Sequence, residues 1–218
     1  CDIEDVFFLM PDWSLHLDPA TLKSELEKRP EILSVGLTKC VPSSLMGMEY
    51  RSESGDQIYI TVLECSKEAF DIFGFEMMTV NDPDDYTGVW MTPESAKTES
   101  IYPEDFKKML SRQFGDYRIA GMINDIPTAG GQNNIDDFPA IVVVRNIDYN
   151  AMAIKTVSDH GKARRVIAEV YEEVSGIEVN DIRDFGMSAL YVKEINEEGL
   201  APWKGLNDLL ERLLGIII

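Results

Sequence analysis

Residues 58–75 constrain the fold more than any other stretch, because they predict a strand that runs directly into a short helix. The first part, at 59–63, is dense in β-branched and aromatic side chains, which favour an extended strand. Ser66 is a suitable helix N-cap, the apolar residues after it recur at helical spacing, and Gly74 can end the helix in the left-handed conformation. Neither this stretch nor any other has the pattern of a reaction site.

The composition is that of a globular protein with a strong acidic bias. Of 218 residues, 44% are hydrophobic and 27% are charged, which predicts a sizeable core in either one large domain or two small ones. The 39 acidic and 20 basic residues give a formal net charge of -19. Such a charge repels phosphate backbones and anionic lipid head groups, so the composition argues against nucleic acid as a partner.

Cys1, Cys40 and Cys65 are too few and too widely spaced for a disulfide framework or a Cys-x-x-Cys metal site. A bridge between Cys40 and Cys65 in an oxidising compartment stays open, as does the question of whether Cys1 is an excised end or a lipidated residue. The apolar run at 213–218 fits either the first turns of a membrane-spanning helix or a helix docked on the core.

Apolar periodicity predicts further elements on both sides of the central stretch. Asp18 and Pro19 open a helix that Pro30 closes, and the longest amphipathic helix runs over 159–175. Residues 45–57 mark either a boundary between subdomains or the tip of a hairpin. Further strands are predicted at 6–10, 32–41, 89–91, 117–123, 140–144, 151–156 and 177–182, with 140–144 and 151–156 joined as a hairpin, and further helices at 104–114, 185–195 and 202–218.

Several patterns come close to known sites but lack an essential part. The carboxylates at 81–85 lack the ligand spacing and the distal Glu of a calcium loop, which predicts a solvated turn. The glycine-containing loop at 127–134 lacks the Gly-Lys-Ser/Thr ending of a phosphate loop. His16 and His160 have no nucleophile or metal context, which predicts surface histidines. We therefore assign no catalytic, cofactor-binding or metal-binding residue, and predict that the chain is not an enzyme.

Five segments, taken in order, resemble the MacB-like periplasmic core domain of FtsX-like ABC transporter permeases. The most specific is the strand at 117–125, Tyr-Arg-Ile-Ala-Gly-Met-Ile-Asn-Asp, which is similar to the family's Phe-x-Val-x-Gly-Val-x-x-Asp. The segment at 89–97 matches in part, since Thr92 or Pro93 stands where the family has asparagine. The remaining matches are a turn into a strand, a strand with a Phe-containing helix that ends in Gly, and a helical return, at 29–35, 62–75 and 191–218.

The resemblance implies an α+β fold with two subdomains. Residues 1–48 and 138–182 would form a mixed α/β porter-like subdomain, and residues 49–137 would form an inserted, mostly-β second subdomain. Residues 183–218 would be a helical return toward the second membrane span.

The resemblance also implies a mechanical function without catalysis or cofactors. The domain would lie on the periplasmic (extracytoplasmic) face of the bacterial inner membrane, tethered by flanking transmembrane helices, and would transmit ATP-driven conformational change. Its partners would be a cytoplasmic ABC ATPase domain or subunit, a second permease protomer, and a periplasmic adaptor or substrate. The alternative is a lipid-anchored surface or periplasmic ligand-binding module that begins at Cys1.

Overall fold

The fold is that of a computed structural model, which describes residues 5–10, 17–40, 45–124, 126, 139–146, 151–178 and, by their backbone alone, 186–188. Within these residues the strands are β1 Val6–Leu9, β2 Ile32–Thr38, β3 Met46–Arg51, β4 Gln57–Cys65, β5 Met77–Val80, β6 Gly88–Met91, β7 Ile119–Ile123, β8 Ala140–Val144, β9 Ala151–Thr156 and β10 Gly186–Ser188. The helices are α1 Pro19–Leu26, α2 Lys67–Phe73, α3 Pro93–Ile101, α4 Pro103–Phe114 and α5 His160–Ser175.

One mixed sheet contains all the described strands. Its order is β10-β1-β9-β2-β4-β8-β6-β7-β5, and β3 pairs with β4 beside this path. The β4–β8 and β6–β7 pairs are parallel and the others are antiparallel. The predicted α+β class is confirmed. The sheet runs through both expected subdomains and the expected boundary between residues 48 and 49 lies inside β3, so the division into subdomains stays a prediction.

The central strand and helix form as their sequence predicts. The Ser66 hydroxyl caps α2 by accepting a hydrogen bond from the amide of Ala69 at 3.2 Å, and Gly74 ends the helix with a φ of 56°. Gly36 of β2 lies directly against this helix, because a Cβ placed on it would be 2.2 Å from the backbone nitrogen of Ala69. The close approach of β2 and α2 therefore requires a glycine at this position.

Helices cover both faces of the sheet. On one face, α2 packs on a cluster to which alternate residues of β1, β9, β4, β8 and β6 contribute. On the other face, α1 and α5 cover the side chains of β1, β9 and β2, while α4 covers those of β4, β8 and β6. Because side chains alternate along a strand, each of these strands is buried from both sides. The face under α2 has one continuous apolar core, and the opposite face has two.

The predicted hairpin of 140–144 with 151–156 is wrong, because β2 and β4 lie between β8 and β9 in the sheet. Every residue of β8 is buried, and it pairs with β4 on one edge and β6 on the other. A strand that is apolar on both faces gains most from a central position, so its nearest neighbour in sequence need not be its partner.

One other prediction differs from the structure, and one of the two alternatives for residues 45–57 is realised. The helix predicted at 185–195 contains β10, which pairs with the outer edge of β1 and leaves that buried strand with neighbours on both sides. The hairpin alternative for residues 45–57 is realised as β3 and β4. The predicted strand at 177–182 lies mostly outside the described residues, and the loop at 127–134 and the C-terminal helix at 202–218 lie wholly outside them. None of the helices in the described part combines the length and the apolar character needed to cross a bilayer.

Two glycine-to-alanine substitutions should have opposite effects on stability. Gly36→Ala would push a methyl group into the backbone of α2, and should lower the free energy of unfolding by about 1–3 kcal/mol. Gly161→Ala, in the first turn of α5, has room for the methyl group and removes a flexible residue, so it should raise stability by about 0.5–1 kcal/mol. Urea unfolding of the two variants measures both changes. Equal effects would contradict the close packing of β2 on α2.

Candidate functional site at the junction of two half-sheets

Among the described strands, β2 and β4 have the shortest ladder of paired residues. These strands share a single residue pair in the ladder, Thr38 with Cys65, whereas β2 pairs with β9 through most of its length. We call β10, β1, β9 and β2 the first half-sheet, and β3 to β8 the second half-sheet. The contact of residues 37–39 with residues 64–66 between them is called the seam.

Backbone hydrogen bonds hold the seam on either side of the paired residues. The amide of Lys39 donates to the carbonyl of Glu64 at 2.9 Å, and the amide of Ser66 donates to the carbonyl of Leu37 at 2.8 Å. The amide of Leu37 also donates to the Ser66 hydroxyl at 3.1 Å. Because the same hydroxyl caps α2, the seam and the start of this helix are one connected structure.

A buried carboxylate carries the electrostatics of the seam. The side chain of Glu64 is fully buried in the strand β4. Its Oε1 lies 3.1 Å from Nζ of Lys39, and its Oε2 accepts hydrogen bonds from Nη2 and Nε of Arg145 at 2.7 and 3.1 Å. Two cations, each at the end of a neighbouring strand, thus compensate one carboxylate. A buried charge without such partners is costly, so the three side chains hold their strands in register.

Alternation along β4 places this charged triad between two apolar cores. Glu64 shares a face with Ile60 and Val62, which belong to the core under α4, and Lys39 shares a face with Leu37, which packs on the core under α1 and α5. The guanidinium of Arg145 lies 5.1 Å from the ring centroid of Phe114 at the end of α4. On this face, therefore, ion pairs rather than apolar packing connect the two half-sheets.

Cys40 and Cys65 lie close to the seam as free thiols, so the bridge that the sequence left open is not formed. Burial raises the pKa of the Cys65 thiol well above its usual value, and burial also raises the pKa of the Cys40 thiol. The Sγ of Cys40 lies 3.8 Å from the carbonyl oxygen of Val62. A raised pKa lowers the thiolate fraction, which fits packing rather than nucleophilic chemistry.

Other residues considered from the sequence have structural surroundings. His160 is half-buried rather than fully exposed, with Nε2 at 2.7 Å from Oδ1 of Asp5, and so ties α5 to β1. In the acidic turn at 81–85, Arg118 pairs with Asp82 and Asp85. No group of three or more potential metal ligands occurs among the residues described. His16 lies outside them.

Sequence reasoning missed the triad, although a signal was present. Glu64 is a lone charge in a run of apolar strand residues, and a strand that is buried on both faces must supply such a charge with partners. Lys39 directly follows β2 and Arg145 directly follows β8, so both are placed at strand ends. What the sequence could not indicate is that these two strand ends flank β4.

Removing both cations should destabilise the domain more than removing the whole triad. Lys39→Met with Arg145→Met leaves the Glu64 carboxylate buried without a partner, and should cost about 3–5 kcal/mol of unfolding free energy. Adding Glu64→Leu should restore most of this loss, because the buried charge is then gone.

Urea unfolding of the double and triple variants measures both effects. Lys97→Met is the matched control, since it removes an exposed ion pair with Glu94 and should change stability by less than about 0.5 kcal/mol. A double variant as stable as this control would show that Glu64 does not depend on its partners.

No protein-family model and no curated protein sequence matches the chain. Solved structures do match. The periplasmic region of MacB from Actinobacillus actinomycetemcomitans superimposes with a TM-score of 0.53 and 13% identity, over 89% of this chain and 94% of that one. The extracellular domain of the noncanonic ABC-type transporter YknZ from Gram-positive bacteria gives a TM-score of 0.47 and 11% identity, over 84% and 97%. The chain thus has the fold of the periplasmic region of MacB, which confirms at the level of the fold the resemblance drawn from the sequence.

Proposed function

We propose that the chain is the extracytoplasmic domain of an ABC transporter permease, and that it transmits ATP-driven conformational change without catalysing a reaction. The observation that carries this proposal is the likeness to the periplasmic region of MacB over nearly the whole of both chains. In this proposal the domain lies on the periplasmic face of the inner membrane between two transmembrane helices. Its partners are an ABC ATPase domain or subunit and a second permease protomer.

The seam supports a mechanical role because few backbone hydrogen bonds join the two half-sheets there. Each half-sheet has its own apolar core on one face, and α2 spans the two on the other face. A sheet with one paired residue at its centre can change the angle between its halves at little cost in hydrogen bonds. The charged triad would keep the register while the angle changes, because long cationic side chains can follow a carboxylate over a short distance.

The two moving parts in this proposal correspond to the subdomains expected from the sequence, residues 1–48 with 138–182 and residues 49–137, with two changes. The first residues of β3, at 46–48, move with the second half-sheet. The strand β8 moves with the second half-sheet, because β4 and β6 are its two neighbours. The return at 183–218, which would carry motion to the membrane, lies outside the described residues apart from β10.

The isolated domain should not bind or hydrolyse ATP. The described residues offer no glycine-lysine cradle for phosphates, and the net charge of -19 opposes the approach of a polyphosphate. Calorimetry with ATP and magnesium should give no binding heat, and the domain should release no phosphate. A micromolar dissociation constant would contradict this prediction and reopen an enzymatic role.

A disulfide across the seam should block the transmission of motion. The carbonyl of Cys65 accepts a hydrogen bond from the amide of Arg145, which directly follows β8, so the backbone groups of Cys65 point away from β2. Thr38 and Cys65 are therefore a non-hydrogen-bonded pair, with Cα atoms about 4.5 Å apart, close enough for a disulfide. The substitution Thr38→Cys should bridge to the native Cys65 upon oxidation.

The measurement uses the full-length permease with its ATPase, reconstituted in lipid. Genetically encoded spin labels at the exposed positions Leu33 and Ile101 report the distance between the half-sheets with and without ATP and vanadate. The distance should change in the unmodified protein, stay constant with the bridge, and change again after reduction. Thr38→Cys with Cys65→Ser is the control that cannot form the bridge. An equal change with and without a quantitative bridge would exclude the seam as the moving part.

A further inference from the structure

Two free thiols flank the seam, one on each side of it. Cys40 follows the last residue of β2 by two positions and is half-buried, whereas Cys65 is the last residue of β4 and is fully buried. Cys65 belongs to the apolar cluster under α2, and Cys40 packs against the same cluster. Both thiols therefore reach the same face of the sheet, but they belong to different half-sheets.

The ladder of the seam sets the separation of the two cysteines. Thr38 pairs with Cys65, and the amide of Lys39 still donates to the carbonyl of Glu64, so the chain stays alongside β4 up to residue 39. Cys40 is the next residue, which places it diagonally across from Cys65. Diagonal neighbours in an antiparallel pair have Cα atoms about 7–8 Å apart, whereas a disulfide requires about 4.4–6.8 Å. A shift of about 1 Å would thus bring the two thiols within bonding distance.

Few contacts oppose such a shift at Cys40. None of the residue pairs in the ladders of β2, β3 and β4 includes it. Its Sγ lies 3.8 Å from the carbonyl oxygen of Val62, and hydrogen bonds of a thiol are weak. Burial is the main cause that raises the pKa of the Cys65 thiol, and the nearby Cys40 is the next cause, which also indicates that the two groups are close.

The difference in burial decides which thiol reacts first. An external disulfide reaches the half-buried Cys40 but not Cys65, which has an exposure of 0%. The Cys40 thiolate attacks one sulfur of glutathione disulfide, expels a glutathione thiolate and leaves a mixed disulfide. The Cys65 sulfur then attacks Sγ of Cys40 and expels the second glutathione thiolate. The two protons of the cysteines pass to the expelled thiolates, and two electrons pass from the cysteines to the reagent.

We propose that Cys40 and Cys65 form a redox switch, in which a low-molecular-weight disulfide oxidises them to a disulfide that joins the end of β2 to β4 and locks the seam. In the reduced form, one residue pair, the backbone hydrogen bonds beside it and the charged triad join these strands. The disulfide adds a covalent bond on the face under α2. Its effect on the motion of the half-sheets rests on the proposed function, but its formation does not.

Equilibrium with a glutathione redox buffer tests the proposal on the isolated domain. Cys1→Ser removes the third thiol of the chain, and mass spectrometry after acid quenching measures the bridged fraction. The effective concentration of the two thiols should be at least about tenfold higher in the folded domain than in the same chain unfolded in urea, because the fold holds them on adjacent strands. An equal or lower value in the folded domain would overturn the proposal.

The measurement is made at equilibrium because the exchange is slow. Burial raises the pKa of both thiols and so lowers the fraction of thiolate, which is the attacking species. Thr38→Cys with Cys40→Ser is the positive control, since it places the second thiol directly opposite Cys65. This control should bridge with an effective concentration at least as high as that of the native pair.

Two single variants in the Cys1→Ser background test the order of the steps. Cys65→Ser should stop at the mixed disulfide, with one glutathione on Cys40. Cys40→Ser should react at least about tenfold more slowly, because Cys65 is then the only thiol and is buried. Equal rates of glutathione uptake by the two variants would show that each thiol reacts independently, and would overturn the proposal.

The full-length permease with its ATPase separates this proposal from the proposed function. With spin labels at Leu33 and Ile101, the ATP-driven distance change should be lost after treatment with glutathione disulfide, return after reduction, and persist throughout in Cys40→Ser. A quantitative bridge that leaves the distance change intact would overturn the lock. Absence of a distance change in the reduced protein would contradict the proposed function, while the bridge in the isolated domain would still support the redox switch.

Discussion

The buried carboxylate of Glu64 is the constraint on which the arrangement of the sheet depends. A charge in the middle of a strand that is buried on both faces can be tolerated only if cations reach it from the neighbouring strands. Lys39 and Arg145 do so from the ends of β2 and β8, on opposite sides of β4. These ion pairs therefore specify the relative positions of β2, β4 and β8. They do so where β2 and β4 share only one residue pair.

Different contacts join the two half-sheets on the two faces of the sheet. Under α2 the apolar core is continuous, and Gly36 lets β2 approach the helix closely enough for both half-sheets to share it. On the opposite face two separate apolar cores meet at the charged triad. Apolar packing is non-directional, so the core under α2 holds the half-sheets together without fixing their register. Ion pairs depend on geometry, so the triad on the other face fixes the register of the strands.

In the proposed function the two half-sheets move relative to each other, and this combination of contacts would suit such a motion. The described residues offer neither a cluster of metal ligands nor a thiol with a lowered pKa.

Local patterns in the sequence determined several of the elements. Ser66 and Gly74 bound α2, Asp18 and Pro19 start α1, and the spacing of apolar residues outlines α5, because capping and periodicity act within a few residues. Pairing between strands far apart in the sequence was decided only in the tertiary structure. The expected hairpin of β8 with β9 failed, and the role of Glu64 stayed hidden, since both depend on strands far apart in sequence. Burial and charge compensation act between residues that are distant in sequence. A chain can therefore specify a helix or strand locally, while the partners of each strand depend on the packing of the whole core.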